Sequence, residues 1–373
     1  MAAHAEKPAV LHILEALEGG TCRHVRELLP ALSARGYRVA LAASFRRNPA
    51  LAHEIAAEFA ACGTALHELP MRRAIAPLAD LRSLSRLTRL IKTLRPDIIH
   101  THSAKAGFLG RLAGAAQGIP VVHTPHAFPF LMEGGRCKKN LYRLLERLVQ
   151  PKTAALIAVS QEEARAAREL GFNPERIHHI PNGTRYPSVS APATAPRRAI
   201  GFFGRLCRQK GADLLLRAVA GIDAEVYLHG NGEDEAALRG QCRHLRIGHR
   251  VHFMGGCPQR DVVETMREYA VIAVPSRWEG FPYVVLDAFA AGVPVVAARV
   301  GGIPDIVQDG INGVLVPSGD SPTLAAALTT LLNDPLRRQT LTTTAQKTLL
   351  SYTLRDMVDK TENVYGALAN KIK

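Results

Sequence analysis

Aromatic residues make up only 5% of this chain, and tryptophan occurs once. Proteins that grip nucleic acid single strands stack bases on exposed rings beside basic groups. With most of its few rings in strand or core positions, the chain is not expected to have a nucleic-acid partner. No apolar run approaches the ~20 residues needed to span a bilayer. Met1 to Leu17 lacks the basic stretch, apolar stretch and small-residue cleavage site of a secretory signal. The expectation is therefore a mature cytosolic N-terminus. The six cysteines, at 22, 62, 137, 207, 242 and 257, contain no C-x-x-C pair, so they suggest neither a zinc site nor a disulfide framework. A D-x-D motif of the kind that holds a metal under a diphosphate is also missing.

The 373 residues that are present suffice for two domains with their own cores. Hydrophobic residues at 47% and charged ones at 21% are ordinary for a globular chain and argue against disorder. The formal net charge of +14 favours an anionic partner: a phosphorylated substrate, anionic lipid or nucleic acid.

The first half alternates short apolar strands with helices. Strands are expected at 10–14, 37–43, 97–102 and 120–124. Helices are expected from Thr21, acting as a cap, to about Arg35, and over 80–94 and 105–117. Residues 187–196, PSVSAPATAP, read as a linker. The alternation then restarts, with strands at 199–203, 225–229, 251–254, 271–275, 293–297 and 313–316. A βαβα order with buried, β-branched strands points to parallel sheets covered on both faces. The expected architecture is α/β: two doubly wound Rossmann-like domains with a cleft between them. Expected boundaries are 1–186, a linker at 187–197, 198–352, and a C-terminal helix at 353–373 that could return to the first domain. In such sheets ligands sit outside the carboxyl ends of the strands.

Two segments carry the chemistry. In VIAVPSRWEGFPYVVLDAFAAG a strand ends at Pro275, a loop presents Glu279 and Gly280, and Pro282 suits the first turn of a helix. Unpaired N–H groups near Gly280, Phe281 and Tyr283 would favour an anion such as phosphate. Asp287, eight residues after Glu279, adds a second carboxylate on that helix. In GFFGRLCRQKG, Arg205 and Lys210 stand on one strand-to-helix loop and can neutralise a diphosphate. Gly19-Gly20 after the first strand would let backbone approach a ligand closely. His126 follows a strand end. His100 and His102 share one strand face, at a spacing that could hold a metal. With no third ligand seen nearby, they are read as structural and no metal site is assigned. Gly230-Asn231-Gly232 resembles part of a dinucleotide fingerprint, but Glu235 occupies the place of its last glycine, and a tight turn suffices.

The Glu279–Asp287 segment resembles the E-x7-E signature of family 4 GT-B retaining glycosyltransferases, of the subgroup associated with bacterial surface polysaccharide synthesis. GFFGRLCRQKG is similar to that family's G-R-x4-K-G, and the similarity runs from LHILEALEGG to GVLVP. It implies that Glu279 contacts the transferred sugar and that Asp287, one methylene shorter than the usual Glu, meets the ribose hydroxyls. It implies that Arg205 and Lys210 grip the donor diphosphate, that the Gly19-Gly20 loop closes over the donor phosphate, and that His126 faces the donor sugar as a hydrogen-bonding partner. Gly280, Phe281 and Pro282 fall in the donor-binding segment. Lys105, in HSAKAG, matches the polysaccharide subgroup, with acceptor-phosphate binding or a helix-start charge both open.

The implied activity is metal-independent transfer of a hexose-type sugar, with retention, from a nucleotide-diphosphate sugar to a glycan or polyprenyl-diphosphate-linked acceptor; no cofactor is expected. Basic residues Arg72, Arg73, Arg82, Arg86, Arg89, Lys92 and Arg95 surround a leucine stripe (Leu81, Leu84, Leu87, Leu90, Ile91), and Arg136, Lys138, Lys139, Arg143 and Arg147 form a second cluster. Both suggest a peripheral position on the anionic inner face of the cytoplasmic membrane. The alternatives are a GT-B nucleotide-sugar epimerase and, behind it, a basic nucleic-acid binder.

Overall fold

Alternating strand and helix carry the chain through two successive parallel sheets. A computed structural model describes residues 7–186 and 197–372. The first sheet contains β1 (Ala9–Leu14), β2 (Arg38–Ala43), β3 (Ala65–Glu68), β4 (Ile98–His102), β5 (Val121–Thr124), β6 (Ala155–Ala158) and β7 (Ile177–His179), in the order β3-β2-β1-β4-β5-β6-β7. All its pairings are parallel. Between strands run α1 (Gly19–Ala34), α2 (Pro49–Ala61), α3 (Pro77–Leu94), α4 (Ala104–Ala115), α5 (Arg136–Val149) and α6 (Gln161–Glu169). Buried Val10 and Leu14 of β1 pack with Val25, Leu28 and Leu29 of α1, whereas Leu11 and Ile13 turn to Leu87 and Ile91 of α3 and Leu109 of α4. Strand alternation thus feeds two cores, one per face.

The second sheet holds β8 (Arg197–Phe203), β9 (Glu225–His229), β10 (Val251–Gly255), β11 (Tyr269–Val274), β12 (Val295–Ala298) and β13 (Val314–Val316), in the order β10-β9-β8-β11-β12-β13, again all parallel. Its helices are α7 (Ala212–Val219), α8 (Glu235–His244), α9 (Val262–Met266), α10 (Tyr283–Ala291), α11 (Ile303–Ile306), α12 (Ser321–Asn333) and α13 (Pro335–Leu349). Both orders are doubly wound, and each reverses direction beside its first strand: between β1 and β4, and between β8 and β11.

The chain divides into two units. One runs to Gly183 and takes in the chain from Leu354; the other is Thr184–Thr353. The last helix, α14 (Leu354–Ile372), belongs to the first unit, where Met357, Val358, Val364 and Tyr365 join the core of α1 and β1. The linker stretch 187–196 lies outside the described residues, and Arg197 already opens β8. Among the described residues no helix is long and apolar enough to cross a membrane.

Two helix starts differ from expectation. Thr21 is not a cap: after a four-residue loop from β1, α1 begins at Gly19, whose φ is +65°, with Glu18 at the N-cap, so Thr21 falls inside the first turn. Pro282 sits at the N-cap of α10, one residue before the helix, and not within its first turn.

Candidate functional site

In the second unit the candidate residues gather at the carboxyl ends of β8 and β11, the adjacent strands of its switch point. The chain leaves β8 through Gly204 and Arg205, makes a short 3-10 turn at Arg208–Lys210, and enters α7 through Gly211. Gly211 has φ +71°, and a Cβ there would lie 2.1 Å from the Pro275 carbonyl oxygen. Only glycine lets this loop press against the end of β11. Lys210 Nζ then reaches Glu279 Oε1 at 2.6 Å.

Ser276 Oγ donates to the same Oε1 at 2.7 Å. Glu279 is buried, and its Oε2 accepts no hydrogen bond from the described residues. A buried carboxylate held on one oxygen, with the other unclaimed, is suited to accepting a hydroxyl from a ligand. Lys210 has three N–H donors, of which the carboxylate takes one.

The supporting contacts were not legible in the sequence. Arg277 makes a two-pronged pair with Asp213 of α7, at 2.7 Å to each carboxylate oxygen, and donates to the Arg208 carbonyl. Its backbone N–H donates to the Gln209 carbonyl, and the Gln209 amide to the Trp278 carbonyl. The Lys210 loop and the Glu279 loop are thereby sewn together. Burial pushes the Asp213 carboxyl up, but Arg277 and Arg217 outweigh it and leave the group below its ordinary value.

Gly230-Asn231-Gly232 has the same supporting role. The Leu206 N–H donates to the Asn231 carbonyl and the Asp234 N–H to the Leu206 carbonyl, so the turn buttresses the Arg205 loop. On the other side Gly301 rests under Glu279, where a Cβ would lie 2.0 Å from the Glu279 carbonyl oxygen. The Gly302 N–H donates to the Gly280 carbonyl.

Arg205 is half-buried on its loop. Asp287 is buried one turn into α10. The Phe281 side chain is buried with its ring tilted against Tyr352, so this residue offers a ligand only its backbone.

In the first unit Gly19 and Gly20 are exposed at the carboxyl end of β1, and nothing lies within 4 Å of where a Gly19 Cβ would be. His126 follows β5 with φ +52°, and Ala127 has φ +84°. The buried Glu163 carboxylate accepts the Ala127 N–H and, at 2.9 Å, the Val159 N–H, which holds this turn in place.

His126 does not stand alone. Its Nε2 lies 3.1 Å from His102 Nδ1, and His102 Nε2 lies 3.0 Å from His12 Nδ1. His24 of α1 stacks edge-on to His126 and pairs with Asn182 Oδ1 at 2.9 Å. His100 is held between Tyr365 OH and Thr124 Oγ1. Reading His100 and His102 as lacking a third nearby ligand is therefore corrected. The parallel register sets His12 directly beside His100, while α1 and the loop after β5 supply His24 and His126. Burial presses all five imidazoles below their ordinary range, His24 to about 4 and His12 to about 3.

Lys105 is committed elsewhere: its Nζ meets Asp80 at 2.6 Å and the Ala74 carbonyl at 3.0 Å, fastening the start of α4 to α3. The leucine stripe of α3 is divided. Leu87 and Ile91 are buried and Leu84 and Leu90 pack against the same core, while Leu81 stays exposed. On α5, by contrast, Leu141, Leu144 and Leu148 form an exposed stripe among Arg136, Lys138, Arg143 and Arg147.

With this geometry in view, the likenesses to known proteins are coherent. Residues 19–183 match the glycosyl transferase 4-like domain, and residues 191–348 match glycosyl transferases group 1. A D-inositol 3-phosphate glycosyltransferase of Corynebacterium diphtheriae is 33% identical over 306 residues, which cover 74% of this chain and 72% of the relative. A UDP-Gal:alpha-D-GlcNAc-diphosphoundecaprenol alpha-1,3-galactosyltransferase of Escherichia coli is 27% identical, covering 79% of this chain and 81% of the relative. The crystal structure of Anabaena HepE in complex with UDP and glucose shares the fold, with a TM-score of 0.82 at 20% identity over 96% of this chain and 100% of that one. The two sheets are the Rossmann-like halves of a GT-B fold. The chain belongs to the family 4 glycosyltransferases and is a glycosyltransferase.

Proposed function

We propose that the chain transfers a hexose-type sugar from a nucleoside-diphosphate sugar, with retention of configuration, to a glycan or polyprenyl-diphosphate-linked acceptor in surface-polysaccharide assembly. The observation that carries this reading is the Lys210–Glu279 pair, set beside Arg205 at the carboxyl ends of β8 and β11. On this reading the Arg205 guanidinium and the remaining Lys210 donors take the diphosphate. They stabilise the charge that grows on it as the sugar leaves, so the diphosphate needs no metal. Glu279 Oε2 accepts a sugar hydroxyl, Asp287 meets the ribose, and His126 contributes a neutral imidazole as hydrogen-bonding partner. The galactosyltransferase relative, whose named acceptor is a diphosphoundecaprenol-linked sugar, supports the lipid-linked acceptor.

The test is calorimetric titration with UDP in the presence of EDTA, followed by proton NMR of the product formed from a UDP-hexose. Binding and an anomeric coupling that matches the donor are expected. Failure of every nucleoside diphosphate to bind would remove the donor site, and an inverted anomeric centre would remove retention.

The reading includes contact with an anionic membrane surface through α5. An exposed leucine stripe flanked by basic side chains can enter the headgroup layer while the cations meet anionic lipid. Burying one leucine is worth about 1.5–3 kcal/mol, so Leu144→Ser with Leu148→Ser should cut sedimentation with phosphatidylglycerol vesicles at least about 10-fold. Equal sedimentation of the variant and the parent chain would refute the α5 contact.

A further inference from the structure

One ring nitrogen from each of His24, His102 and His126 lies within 4.8 Å of the other two. His12, His100 and His102 form a second such group. The two differ in ways that matter for an ion. In the second group all three residues are fully buried, and both His100 nitrogens are already engaged by hydroxyls. In the first group His126 is only half-buried, so this group reaches the surface of the unit.

The surrounding contacts of the first group also follow the pattern of ligating histidines, whose second nitrogen is held by an outer partner that fixes ring and tautomer. His24 Nδ1 is held by Asn182 Oδ1, which leaves Nε2 as its lone-pair nitrogen. His102 Nε2 pairs with His12 Nδ1, and in the tautomer that donates there its Nδ1 is the lone-pair nitrogen. His102 Nδ1 and His126 Nε2 stand 3.1 Å apart. Tetrahedral zinc bonds of about 2.0–2.1 Å place two ligand nitrogens roughly 3.4 Å apart, so a small rotation of one ring admits an ion where a proton now sits.

We propose that His24, His102 and His126 bind one divalent transition metal of the zinc class, with its fourth position open toward the solvent side of His126. Three neutral imidazoles suit zinc, copper and nickel far better than magnesium or calcium. The proton between His102 and His126 passes to His126 Nδ1, so His126 changes tautomer and stays neutral. All three ligands belong to the first unit and the diphosphate loops to the second, and the proposal stands whether or not the sugar-transfer reading holds. A bound ion would occupy the His126 nitrogen that faces His102, so metal loading also bears on any role this ring has toward a substrate.

The experiment uses the full, untagged chain, stripped with a chelator and titrated with Co2+ without any sugar nucleotide. One equivalent should bind, with the visible d–d bands of tetrahedral cobalt, and Zn2+ should displace it. His126→Ala, at the half-buried position, should weaken binding at least about 100-fold, and Asn182→Ala about 10- to 100-fold. His53→Ala, at an exposed position on α2, should change nothing. Near-UV circular dichroism confirms that each variant is folded. Absence of binding, binding without the visible bands, or full affinity in folded His126→Ala overturns the proposal.

Discussion

Lys210→Ala should weaken UDP binding about 30- to 700-fold, and Glu279→Ala should leave it intact or strengthen it while lowering kcat. The asymmetry follows from the shared ion pair. Lys210 Nζ and Glu279 Oε1 are 2.6 Å apart, and the carboxylate is almost fully buried. On the proposed reading Lys210 also pairs with the bound diphosphate, and truncating one partner of a hydrogen-bonded charge pair across a binding interface costs about 2–4 kcal/mol, which converts to the stated factor. Without Lys210 the diphosphate loses a cation, and Glu279 keeps its charge with Ser276 as its remaining partner. Without Glu279, Lys210 turns all its donors to the diphosphate, so affinity for UDP alone does not fall. The intact sugar donor loses its hydroxyl acceptor, and kcat should drop about 100- to 1000-fold, the scale of a lost transition-state hydrogen bond. In the double variant the two changes should couple by more than about 0.5 kcal/mol, as groups in direct contact do. Wild-type UDP affinity in Lys210→Ala would sink the diphosphate clamp. Equal losses of UDP affinity and turnover in Glu279→Ala would sink the division of roles.

How much of this was legible in the sequence depends on how far apart the interacting residues stand. Strands such as 225–229 and helices such as α7 emerge from local periodicity, because a parallel sheet buried on both faces needs continuous apolar runs. The Lys210 and Glu279 loops were legible as separate anionic and cationic features, and their shared oxygen was not. Lys210 and Glu279 are 69 residues apart, as are Arg208 and Arg277. Nothing local marks Arg277 and Asp213 as the stitches between these loops. The histidine cluster shows the same limit. His100 and His102 are visible as neighbours, but His12 is 90 residues from His102 and meets it only through strand register. β6 (ALIA) and β7 (IHH) were missed although the equally short β5 (VVHT) and β13 (VLV) were read, because each of the missed pair holds a single β-branched residue. The leucines of α3 misled because periodicity reports a helical stripe without saying whether a core or a surface receives it.

Glu146→Ala should destabilise the first unit by about 3–5 kcal/mol, although the sequence places Glu146 in a run that reads only as a basic cluster. The α5 helix turns this one acid inward. Both of its carboxylate oxygens accept from one guanidinium nitrogen, Nη2 of Arg111, at 2.7 and 2.8 Å, and Arg111 on α4 is completely buried. Arg111 also donates to the Gly107 carbonyl at 2.8 Å. The neighbouring His123 contributes no charge, because burial foremost, and then the Arg111 cation, holds its imidazole far below the usual range. Alanine at 146 therefore leaves a cation in the core with a carbonyl and, at 3.5 Å, the Thr153 hydroxyl as its remaining contacts. For a unit of this size each kcal/mol shifts Tm by about 2–4 °C, so its calorimetric transition should fall by roughly 6–20 °C. Replacing both partners with leucine removes the stranded charge together with the pair, and should restore stability to within about 1–2 kcal/mol of the parent. That contrast separates a desolvated ion pair from simple packing. If Glu146→Ala melts with the parent chain, or if the double leucine variant melts as early as the single alanine, the pair does not hold α4 to α5 electrostatically.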